Sequence, residues 1–400
     1  MKYHDEALEI NRQIGGRQSE ANQLGNIGVI YITKGDLDQA LEYHKDALKI
    51  HKEIGFREGE AGDLCNIGII YRVKGDPDRA LKYLEDALKI DKEIDCKQGE
   101  ATDLCNIGFI YEVKGDLDQA LEYHKDALKI HKEIDYRQGE AQDLIAIGLV
   151  LAAKGELDDA LTHYESARKI HNEIGFREGE ATAIGNIGNI YYLKGDLNQA
   201  LKYHQEALKI DKQIGYRKGE ANDLNNIGLI YYDRGDLDQA LKYHQEALKI
   251  DEEIGNREGE ANDLDNIGMV YRAKRDPYQA LRCHQEALNI DIQTGLRQGQ
   301  ALRLDNIGIT YQAIGDLEKA FKYLQEALKI NTEIGYREGE GNNLRNIGVV
   351  YQAKGDLDRA LKYHKEALKI FEEIGMPQQI GMVKGNIKKI SQQIEQMKNK

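Results

Sequence analysis

The chain repeats itself every 40 residues without insertion or deletion, so that Asn26, Asn66, Asn106, Asn186, Asn226, Asn266, Asn306, Asn346 and Asn386 fall in one column. A fixed period between about 20 and 50 residues marks an array whose units are too small to bury an apolar face alone and bury it against their neighbours. Length by itself suggests two or three domains, but an unbroken period with no shift in composition predicts one elongated array over 1–400. Function in such an architecture belongs to a surface rather than to a catalytic pocket.

The 69 acidic residues outweigh 55 basic ones to give a formal charge of -14, which repels phosphate backbones and disfavours anionic membranes. Neither nucleic acid nor a membrane is an expected partner. The opening residues carry no basic stretch followed by an apolar one, and no later run approaches 18 apolar residues. A soluble, cytoplasmic protein is the expectation. Cysteines 65, 96, 105 and 283 form no CxxC pair, as suits a reducing compartment, and Cys65 and Cys105, which share a column, read as small apolar fillers.

Residues 217–254 show what one unit builds. In the first half Leu224, Ile227, Gly228 and Tyr231 recur at helical spacing, and in the second Leu237, Ala240, Leu241, His244, Ala247, Leu248 and Ile254 do the same. Between them Gly235 can take the positive φ that ends a helix, Asp236 caps the next, and Gln239 stands three residues on, as in a capping box. Pro77 and Pro277 follow the equivalent Asp, where a first helical residue tolerates a missing N–H. The second helix stops at a Gly column running from Gly15 to Gly375, with Asp95 and Asp135 as substitutes able to enter the left-handed region. Gly228 and Ala240 leave room for the two helices to cross closely.

Leu224-x2-Ile227-Gly228-x2-Tyr231, followed by Ala240-x3-His244 and Ala247, resembles the tetratricopeptide repeat, with Leu in place of the usual Trp and His in place of Phe. The 40-residue length and the phrase R-x-G-E-A-x-x-L-x-N-I-G resemble the long-helix subclass of Partner-of-Inscuteable adaptors and kinesin light chains. The resemblance implies an all-α, right-handed superhelical solenoid of antiparallel helix-turn-helix hairpins. Counted in this phase, residues 1–14 match a second helix alone, nine complete hairpins run from 17 to 374, and 378–396 match a polar C-terminal capping helix. The bare N-terminal end suggests either a fragment of a longer array or a chain that self-associates there.

Such superhelices line a concave groove with the first helix of each hairpin, which places the Asn column there. Two readings of Asn26, Asn66, Asn106, Asn186, Asn226, Asn266, Asn306 and Asn346 compete: a tie between neighbouring helices, or a clamp in which each carboxamide meets a peptide N–H and C=O. Other groove columns change along the chain, from apolar Ile69 and Phe109 through Tyr192 and Tyr232 to polar Arg272 and Arg345. A partner segment with apolar anchors and basic residues is the corresponding expectation. Ala146 interrupts the ladder, in a unit that also departs at Leu151 and Arg168, and a flexible point is expected between 137 and 174.

Arg17 and its equivalents precede a glutamate column by three residues and read chiefly as a solvated edge. Histidines at 4, 44, 124, 204, 244, 284 and 364 stand a repeat apart, too far to share a metal, and read as core residues. No Ser/His/Asp set, HExxH, phosphate loop or GxGxxG segment occurs, so no catalytic residue, metal or cofactor is expected. The function these features suggest is a protein-interaction scaffold binding a peptide or protein segment. The alternative is a ligand-sensing regulatory module detached from an effector domain.

Overall fold

A computed structural model describes residues 8–11 and 13–398. Most of the half-unit expected at 1–14, including His4, therefore lies outside the described residues. The chain divides into two compact units, Met1–Lys194 and Gly195–Lys400. In the first, hairpins pair Arg17–Thr33 with Leu37–Ile54, Arg57–Val73 with Pro77–Glu93, Lys97–Lys114 with Leu117–Glu133, and Arg137–Ala153 with Leu157–Glu173, before a further helix Arg177–Leu193. In the second, Leu197–Ile214 precedes the pairs Arg217–Asp233 with Leu237–Ile254, Arg257–Ala273 with Pro277–Thr294, Arg297–Ile314 with Leu317–Ile334, and Arg337–Ala353 with Leu357–Glu373. The helix Pro377–Lys398 follows. Within each unit consecutive helices pack side by side, and among the described residues there is no strand. Each unit is thus an α-solenoid. Among those residues no helix is long and apolar enough to cross a membrane.

Glycine ends both helices of the hairpin as the sequence predicts: Gly235 has φ 79° and Gly255 φ 69°, while Asp95 and Asp135 adopt φ 56° and 54° in the latter column. Asp236 Oδ1 accepts from the Gln239 N–H at 3.2 Å. Only half of the expected capping box forms, because the Asp236 N–H already donates to the Tyr231 carbonyl at 2.9 Å in the turn. Arg275 replaces the turn glycine in one unit and is held at φ 62°, a conformation that costs an L-residue about 1 to 2 kcal/mol.

Two glycine columns set how closely the helices pack. A Cβ on Gly228 would lie 2.7 Å from the His244 ring, and one on Gly68 2.7 Å from Leu84 Cγ, so the glycine of Ile-Gly makes room for the histidine column of its own hairpin. Gly59, from R-x-G-E, does the same for His51, whose ring a Cβ would meet at 2.7 Å. The alanines between are fully buried: Ala40, Ala80, Ala120, Ala160, Ala200, Ala240, Ala280, Ala320 and Ala360 show no exposed area. The divergent fourth hairpin is filled rather than hollow, for Tyr164 lies over Gly148 and is 1% exposed. Arg168 there is half-buried.

Candidate functional site

Burial of the Asn column increases along the chain. Asn26 is exposed, Asn66, Asn106, Asn186, Asn226 and Asn266 are half-buried, and Asn306 and Asn346 are buried. One geometric relation recurs: the carboxamides of Asn106, Asn266, Asn306 and Asn346 reach the residue 41 positions earlier, just before the Asn of the preceding hairpin. Asn266 Nδ2 donates to Asn225 Oδ1 at 2.9 Å, Asn306 Nδ2 to Asp265 Oδ2 at 2.8 Å, and Asn346 Nδ2 to both oxygens of Asp305 at 3.0 and 2.9 Å. Asn106 Nδ2 bonds its own helix at the Thr102 carbonyl, 3.0 Å away, and reaches Cys65 Sγ at 3.7 Å. Asn66 and Asn186 find Gly25 and Ile145 at the corresponding place, neither of which has a side-chain acceptor. Asn266, Asn306 and Asn346 are therefore tied to the preceding hairpin in the second unit, and Asn66 and Asn186 have no such tie in the first.

On the first helices of the first unit Val29, Val73, Val113, Leu149 and Leu193 are 41 to 57% exposed. Ile69 and Phe109 lie half-buried among them, Phe109 edge-on to His124 with ring centroids 4.9 Å apart and 5.7 Å from the Arg72 guanidinium. Tyr192 and Tyr232 are half-buried in their respective units. Burial pushes the thiols of Cys65 and Cys105 up, which suppresses thiolate chemistry at both.

In the second unit several of the polar positions bond one another. Asp265 takes His284 Nδ1 on one oxygen at 2.6 Å and Arg303 on the other at 3.0 Å, and Arg303 Nε donates to Asp291 at 3.1 Å. Burial alone would raise Asp265, but the His284 hydrogen bond and the charge of Arg303 outweigh it and hold the carboxyl below its usual range. Sequence reasoning missed Arg303. Its signal is an Arg in a column where Asp63, Asp103, Asp143, Asp223 and Asp263 make Asp the commonest residue. Arg272 and Arg345 are half-buried on either side of Asp305, whose charge both act on. Arg345 also donates to Gln379 at 3.1 Å.

A second feature the sequence reading missed lies where one hairpin meets the next. Side chains twelve residues apart face each other there: His51 with Asp63 at 2.7 Å, His131 with Asp143 at 2.5 Å, and Asn331 with Asn343 at 2.7 Å. The arginine column is an edge tie. Arg57 pairs with Glu60 and with Glu93 of its own hairpin, both at 2.6 Å, and Arg217 repeats the pattern with Glu220 at 2.5 Å and Glu253 at 2.7 Å. Lys114 to Asp78 and Lys354 to Glu318, each 2.7 Å, link successive hairpins. Such exposed pairs are screened by solvent and add little to stability. Among the described residues no group of three metal-ligating side chains occurs.

The family model described as tetratricopeptide repeat matches at residues 2–53, 21–93, 60–133, 100–170, 140–213, 220–293 and 299–373. No curated protein sequence matches the chain. Solved structures do. The apo quorum sensor NprR from B. thuringiensis aligns with 16% identity and a TM-score of 0.59, covering 90% of this chain and 99% of that one. The Rap conjugation gene regulator of the plasmid pLS20, in complex with the Phr* peptide, gives 16% and 0.57, covering 79% and 96%. A STAND protein with a tetratricopeptide repeat sensor from Pyrococcus horikoshii gives 17% and 0.54, covering 92% of this chain and 55% of that one. At these identities the likeness is one of fold.

Proposed function

This chain belongs to the tetratricopeptide repeat family, and on that premise we propose that it is an interaction scaffold that holds an extended peptide or protein segment against the first helices of its hairpins. The observation that carries this reading is the coincidence, in the first unit, of exposed Val29, Val73, Val113, Leu149 and Leu193 with the untied carboxamides of Asn26, Asn66 and Asn186. Apolar side chains give a segment area to bury, and a carboxamide beside them satisfies one peptide N–H and C=O whatever the sequence bound. The chain's net charge of -14 favours a segment with basic residues beside its apolar anchors. In the second unit Asn266, Asn306 and Asn346 are engaged by internal hydrogen bonds, which favours the first unit as the place where the ligand sits.

A second reading, a ligand-sensing module for an effector, is favoured by the company of a quorum sensor, a peptide-bound regulator and a repeat sensor among the structural neighbours. Capture of a partner followed by mapping of its bound segment tests the first reading. Val113→Asp with Leu149→Asp should abolish capture while leaving helicity intact, and unchanged capture would exclude this face.

A further inference from the structure

The seam between one hairpin and the next is a buried place meant for complementary groups: His51 with Asp63, His131 with Asp143, Asp291 with Arg303 and Asn331 with Asn343 meet there at 2.5 to 3.1 Å. Three occurrences set acid against acid; in one, Asp211 with Asp223, the His204 ring meets Asp223 Oδ1 at 3.0 Å, and the other two have no such histidine bond. Asp91 and Asp103, in the first unit, are 5% and 1% exposed; Asp251 and Asp263, in the second, are 2% and 1% exposed. Glycine holds each first carboxyl in the seam, since a Cβ on Gly99 would stand 2.0 Å from Asp91 Oδ2 and one on Gly259 1.9 Å from Asp251 Oδ2. The Oδ2 atoms of Asp103 and Asp263 are buried with no donor in reach. Two carboxylates so placed, out of water, do not both carry charge. One proton between them converts the repulsion into a charge-assisted O–H···O⁻ bond.

We propose that these two seams are proton-locked joints, each closed around one proton shared by its aspartate pair and able to open only by releasing it. The groups around the first pair supply no cation that would replace that proton. Glu58 and Cys65 of Arg57–Val73 and Glu100 of Lys97–Lys114 face it, and Glu100 is itself engaged by Lys92 and Lys97. Around the second, Asn256 donates to Asp251 Oδ1 at 2.9 Å, Lys218 of Arg217–Asp233 favours the Asp251 charge, and Glu260 adds negative charge on the helix that carries Asp263. Asp263 is thereby the protonated member. Burial, with the neighbouring Asp91 and Asp251, pushes Asp103 up to about 8 and Asp263 to about 9.

Hydrogen exchange of the 400-residue chain, resolved by segment and corrected for intrinsic rates, tests this between about pH 6 and about pH 9.5. In Pro77–Glu93 and Lys97–Lys114 the opening equilibrium should rise about tenfold per pH unit and level near pH 8; around Asp251 and Asp263 it should level near pH 9. Asp103→Asn offers the same hydrogen bond without a titrating proton, so it should flatten the slope at the first seam and leave the second unchanged. Asp263→Asn should do the reverse. Should Asp103→Asn fail to fold, Asp91→Asn makes the same test. A slope that is absent in the parent chain, or that survives these substitutions, overturns the proposal.

Discussion

The carboxamide of Asn306 donates to Asp265 at 2.8 Å across two successive first helices, and Asp265 is 3% exposed. Removing that donor leaves a buried carboxylate with one bond fewer, so Asn306→Ala should destabilise by about 1 to 3 kcal/mol. Asn66→Ala, at a position with no side-chain tie, should change stability by less than about 0.5 kcal/mol. Its effect should fall on peptide affinity. Thermal melts of both variants, beside binding of a mapped segment, separate the two roles of one column.

Gly59 and Gly62 lie within one turn of the same helix and should respond oppositely to alanine. A Cβ on Gly59 would meet Phe56 at 2.5 Å and His51 at 2.7 Å, whereas one on Gly62 meets nothing within 4 Å. Overpacking should cost Gly59→Ala about 1 to 3 kcal/mol, and Gly62→Ala should gain about 0.5 to 1 kcal/mol from helix propensity. Far-UV melts of the pair check the sign of each.

Arg275 and Glu156 are local exceptions that a single substitution can restore. Arg275→Gly relieves a left-handed residue at φ 62° and should raise stability by about 1 kcal/mol. Glu156 makes no side-chain cap bond to its helix, unlike the Asp of other hairpins, and Glu156→Asp should add about 1 kcal/mol. An unchanged melting temperature in either variant would count against these assignments.

His364 lies buried over Gly348 with neither ring nitrogen partnered, in the column that Leu84 and Leu324 also occupy. Burial, then the charge of Arg345, lowers its pKa to about 4, while in the unfolded chain the ring titrates near about 6.5. The unfolded state thus takes up a proton first, and stability should fall as pH drops from about 6.5 to about 4 and then level. His364→Leu should remove that loss and stabilise by about 1 to 3 kcal/mol at neutral pH. Urea titrations across this range supply the measurement.

Hairpins and turns were legible because each rests on local chemistry repeated at one spacing: apolar residues at helical period, Gly235 and Gly255 at positive φ, Asp236 at the cap. The Asn column was legible as a column but not in its role, which depends on a residue 41 positions away that changes from Gly25 to Cys65 to Asp265. Arg303 escaped notice for a related reason. Its burial is permitted by partners from two other helices, Asp265 and Asn262 on one and Asp291 on the next, and no spacing within its own helix announces them. The capping box was half right because the turn and the box compete for one N–H.

The pairs twelve residues apart also give the hairpins an order. Their equal length and common backbone would let units be shuffled like cards, yet each seam accepts only certain neighbours. A chain lacking residues 337–376 would set Asn331 against Val383, amide against hydrocarbon, where Asn343 now receives its hydrogen bond. Uniform in outline, the array is addressed from within.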